Sequence, residues 1–121
     1  MSYILRATNE NIQPTPVGFY NFHTSPDEAL QYRLHLRVLP DENGILIVNA
    51  SSVLRLNQTG TYFAWQMMQN KTEEEIIQAA VKRYKAEEST IRADVQNFVD
   101  EIKFIITNPD QAPVFTDSGF D

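Results

Sequence analysis

From Leu34 onward the apolar positions keep two rhythms, first every second residue and then every third or fourth. Leu34, Leu36 and Val38 alternate with His35 and Arg37, which predicts a strand over 34–39 with one buried face. Pro40-Asp41-Glu42-Asn43-Gly44 follows, and its Asn-Gly pair is a strong hairpin signal because both residues tolerate positive φ. Ile45-Leu46-Ile47-Val48 reads as a second, more fully buried strand. Asn49-Ala50-Ser51-Ser52 then turns the chain into a third strand over Val53–Leu56. There the period changes. Asn57 offers a helix N-cap, and Tyr62-Phe63-Ala64-Trp65-Gln66-Met67-Met68 forms an aromatic helix ending near Asn70. Thr72-Glu73-Glu74-Glu75 is a capping box for a second helix, whose buried stripe is Ile76, Ile77, Ala80, Val81 and Tyr84. A third helix opens near Glu88 or Ser89. Ile91, Val95, Phe98, Ile102 and Ile105 make its apolar seam, Val99 and Ile106 widen one flank, and Asn108-Pro109 ends it.

Three strands with one apolar face need a cover, and the helices supply it. The expected fold is α+β and winged-helix-like, a three-stranded antiparallel sheet followed by a three-helix bundle. Residues 1–33 read as an N-terminal extension lying against the core, 34–107 as the domain, and 108–121 as a tail or linker with exposed-looking Phe115 and Phe120. Within the extension, Phe19–His23 alternates weakly and could be a strand. A short helix over Pro26–Gln31 and a hairpin into Tyr32 are both open.

Composition narrows the function classes. With 121 residues and 42% hydrophobic content the chain has room for one core. It has no cysteine, so disulfides, thiolate metal sites and cysteine nucleophiles are excluded. A net charge of −6 and a pI near 4.8 argue against a surface that neutralises phosphates, hence no nucleic acid. Met1–Arg6 turns polar at once, without the apolar core of a signal peptide. No apolar run approaches the roughly 20 residues of a membrane span, so a cytoplasmic protein without a membrane partner is the expectation.

Candidate chemistry is sparse. His23 and His35 lie in the extension and on a strand, with no metal-ligand spacing between them. Glu73-Glu74-Glu75 could be paired carboxylates for acid–base work, but they also suit a solvated helix start, where the dipole favours them. Trp65, Met67 and Met68 suit core packing better than a cofactor box. The reading is a non-enzymatic chain with no metal and no cofactor of its own.

What remains is a binding surface. A third strand that leads straight into helices is expected to be an edge, with free N–H and C=O groups, and Arg55 between Leu54 and Leu56 is a charge of the kind that deters indiscriminate pairing. An extended peptide could add there as a fourth strand, with pockets beside the third helix choosing its side chains. The alternative is that residues 1–33 cover this edge. Leu54-Arg55-Leu56-Asn57-Gln58-Thr59-Gly60, the aromatic helix through Trp65, Lys71-Thr72-Glu73-Glu74-Glu75-Ile76-Ile77, Tyr84 and Ala93-Asp94-Val95-Gln96-Asn97-Phe98-Val99 together resemble the PqqD-like family. The resemblance covers roughly residues 34 to 106; residues 1–33 and the tail past Asn108 extend beyond its small members. It implies a RiPP recognition element, which binds the leader of a ribosomally made precursor peptide and delivers it to a modifying enzyme, often a radical SAM protein. Leader binding by strand addition would implicate Val53, Leu54, Arg55 and Leu56 on the strand and Val95, Phe98, Val99 and Ile102 on the third helix. Two rivals stand beside it. One is a winged-helix nucleic-acid-binding regulator, whose third helix would have only Arg92 and Lys103 against Asp94, Asp100 and Glu101. The other is a structural subunit forming a homodimer edge to edge.

Overall fold

A computed structural model describes residues 13–108 and the backbone of 115–117. Its elements are β1 (Gly18–His23), β2 (Arg33–Val38), β3 (Gly44–Val48), β4 (Ser52–Leu56), α1 (Gln58–Met68), α2 (Glu73–Arg83), α3 (Glu88–Thr107) and β5 (Phe115–Asp117). The class is α+β, but the sheet is larger than the expected three strands and runs in the order β1-β2-β3-β4-β5. Strands β1 to β4 form an antiparallel meander, and β5 pairs parallel to β4. The extra strands share one cause. Strand pairing is a contact between segments remote in sequence, and neither segment alternates strongly enough to announce itself.

Register fixes the two faces. Leu34, Leu36, Val38, Leu46, Val48, Leu54 and Leu56 point to the helices and are buried, while the intervening residues face outward. Tyr20 and Phe22 of β1 pack onto the same core from its margin. Phe63 of α1, Ile76, Ile77 and Ala80 of α2, and Ile91, Val95, Phe98 and Ile102 of α3 complete that core. Between β1 and β2 the chain makes a turn-rich connection rather than a helix; Thr24 N donates to Tyr32 O at 3.1 Å and closes it as a hairpin.

The β2–β3 turn differs in detail from the sequence expectation. Positive φ falls on Glu42 (70°), and neither Asn43 nor Gly44 adopts it. Glu42 N donates to Leu39 O and Leu39 N to Asn43 O, so Pro40-Asp41-Glu42 form a three-residue loop. Gly44 is required for another reason: a Cβ there would lie 2.7 Å from Thr61 Oγ1 and 2.9 Å from its Cγ2, because α1 crosses the sheet at that point. Asn49 and Ala50 turn β3 into β4 with φ of 54° and 59°.

Helix starts follow their local signals. Asn57 Oδ1 accepts from Gly60 N at 2.9 Å, and Thr72 and Glu75 form the full capping box. Helix α1 ends at Met68, two residues before the expected limit. Arg83 in the last turn of α2 holds the leading segment in place. It donates to Gln13 O (2.8 Å), reaches Glu42 Oε1 (3.4 Å) and lies over the Tyr62 ring at 4.4 Å.

Candidate peptide-binding margin

The outer margin of β4 was expected to be open, and it is not. Register pairs Val53 with Phe115, Leu54 with Thr116 and Arg55 with Asp117. Residues 18–23 do not take this place; as β1 they pair with β2, on the opposite side of the sheet. The physical reason is the ordinary demand of an edge strand for hydrogen-bond partners, met here by a later segment of the same chain. The same backbone is what an edge-to-edge dimer through β4 would use.

The side chains named from the sequence do not form one surface. On β4, Leu54 and Leu56 point into the core, Val53 is half-buried on the outward face, and Arg55 is exposed. On α3, Val95, Phe98 and Ile102 are buried, Phe98 against the Phe63 ring at 5.8 Å. Only Val53, Arg55 and Val99 keep accessible side chains. An apolar seam looks alike whether it meets a sheet or a ligand, which is why spacing alone could not separate them.

Val99 faces away from the seam's centre. Together with Ile106 it lines an open groove of about 820 Å³ that also takes in Phe22, Leu30, Tyr32 and Met67. The groove lies under the β1–β2 connection, and Leu30 is 43% exposed at its side. Sequence reasoning missed it because one wall comes from residues 22–32, whose conformation no period or cap specified. On the helix's other side Phe104, 49% exposed, was also passed over, since it falls outside the seam.

Charge is segregated over the molecule. Arg33, His35, Arg37 and Arg55 all lie on the outward face of the sheet, where β1 to β4 contain no carboxylate. Within that face His35 Nδ1 is 2.6 Å from Asn21 Oδ1, and Arg37 stacks over Phe19 at 5.2 Å. The helices carry Glu73, Glu74, Glu75, Glu88, Asp94, Asp100 and Glu101. Arg92, which a nucleic-acid-binding third helix would need, is held by Glu74 (2.8 and 3.1 Å) and Glu88 (3.1 Å). These bonds, with one from Gln78, hold the Glu74 carboxyl at a pKa of about 2, well below its ordinary 4.5. Among the described residues no cluster of three or more His, Asp or Glu could hold a metal, and no helix is long and apolar enough to cross a membrane.

Comparison with known proteins gave no match among curated proteins and none among solved structures. The family model for coenzyme PQQ synthesis protein D (PqqD) matches residues 38–103, from the end of β2 through most of α3 and over more than half the chain. By that match, the chain belongs to the PqqD family.

Proposed function

We propose that this protein is a non-catalytic peptide-recognition module of natural-product biosynthesis. It captures the leader of a ribosomally made precursor peptide by strand addition at β4 and delivers it to a modifying enzyme, a radical SAM protein being the family's usual partner. Membership in PqqD, an accessory family of coenzyme PQQ synthesis, favours a supporting role over catalysis. One observation carries the choice of site: β4 already holds a short extended segment, Phe115–Asp117, by strand pairing, so its geometry suits an added strand. Val53 and Arg55 are the β4 side chains placed to meet a ligand. Leu54, Leu56, Val95, Phe98 and Ile102 act as the packed support behind it, and Val99 lines the groove beyond. The compartment that suits such work is the cytoplasm.

Val53→Pro tests the site. Proline removes one backbone donor from β4 and leaves the helices' caps and seams intact. Titrating wild type and variant with the synthetic leader of the precursor peptide, in a calorimeter, should show affinity lower by about tenfold in the variant, the size of one lost hydrogen bond. Far-ultraviolet circular dichroism should show unchanged helicity. Equal affinities would remove β4 from the binding site.

A further inference from the structure

Resting on that reading of β4, we infer that Phe115–Asp117 is an internal stand-in for the peptide, so that a ligand enters only by exchanging with it. The stand-in also describes its rival: an extended segment with an apolar residue in register with Val53 and a carboxylate in register with Arg55. The register carries this inference. Asp117 stands across from Arg55, and Phe115 stands across from Val53. Among the described residues three pair, and they do so in parallel, the weaker of the two ladder geometries. A strand so short gains little from its own ladder. It is held at the margin mainly by being tethered to α3, and tethering through a short connection sets a local concentration on the order of millimolar. Such an occupant excludes weak, unspecific strands and yields to a peptide that matches the same register over a longer stretch.

The test uses the full chain and a synthetic decapeptide of residues 112–121 (Ala112 to Asp121) as probe. Thr116→Pro removes the central backbone donor of β5 and touches none of β1 to α3. In the variant, exchange of the amides over Val53–Arg55 should quicken at least tenfold while α2 and α3 amides keep their protection. The decapeptide should bind the variant at least tenfold more tightly than wild type, and restore that protection. A decapeptide carrying the Asp117→Lys change should bind the variant several-fold more weakly. Unchanged β4 protection in Thr116→Pro would overturn self-occupancy, and equal decapeptide affinity for both proteins would overturn exchange. Equal affinity of the two decapeptides would overturn the required carboxylate. None of these arms involves a precursor leader, so a leader that fails to bind either protein would defeat the recognition reading and leave the self-pairing standing.

Discussion

At Gly44 the absence of a side chain matters more than backbone freedom. The Thr61 side chain, itself buried, occupies the space a Cβ would need. Gly44→Ala should therefore cost about 1–3 kcal/mol through overpacking, read as a lower denaturant midpoint with an unchanged slope. A loss under about 0.5 kcal/mol would mean that Thr61 moves aside easily. Ala50 presents the opposite case. It holds φ of 59°, a region that costs an L-residue roughly 1–2 kcal/mol, and glycine would relieve that strain while adding freedom to the unfolded chain. Ala50→Gly should raise stability by about 0.5–1 kcal/mol in the same measurement. Both positions were legible as turns. Which residue carries positive φ was not, because that depends on how many residues the flanking strands leave to the loop.

Secondary-structure elements were legible in proportion to how local their determinants are. The Thr72–Glu75 capping box, the Asn57 cap and the α3 seam are written within a few residues, and the structure places them where spacing put them. Strands β1 and β5 take their identity from partners elsewhere in the chain, so the weak alternation of Phe19–His23 only hinted at β1 and nothing local marked β5. The α3 seam shows the limit of pattern in another way. Phe98 is 1% exposed, so Phe98→Ala should cost about 3–5 kcal/mol of stability and is a poor probe of binding; Val99 is the residue to vary when the groove is in question. On the outer side of α2 and α3, Arg92 ties Glu74 to Glu88, and the Thr72 backbone N–H lowers the Glu75 carboxyl. All three carboxyls have pKa values depressed in the folded protein. Their contribution is complete above the unfolded value of 4.5 and is lost as pH falls, for Glu74 down to about 2. These groups are fully exposed, so salt should shrink the effect. Melting temperature should decline from pH 4.5 toward 2 and decline less in Arg92→Gln. Parallel curves for the two proteins would show that the cluster does not couple to folding.

Among the described residues, one layer of helices covers one face of the sheet, and no described helix covers the other. That outward face gathers Arg33, Arg37 and Arg55 in a chain whose net charge is −6. Arg83 ties Gln13 back to the β2–β3 turn and the end of α2, and β1 pairs with β2 at the margin of the sheet opposite β4. Strand β1 therefore cannot guard the margin assigned to the ligand. On the proposed reading that task falls to β5, and the Val53→Pro and Thr116→Pro variants would separate the margin from its guard.

The position of β5 in the chain also gives the protein a history. Strands β1 to β4 and all three helices leave the ribosome before Phe115 does, so for that interval β4 is bare. A partner waiting near the exit tunnel would meet an unclaimed edge, whereas one arriving after Asp117 has emerged must evict an incumbent. On the proposed reading, the timing of encounter would weigh beside affinity in deciding which strand is seated first.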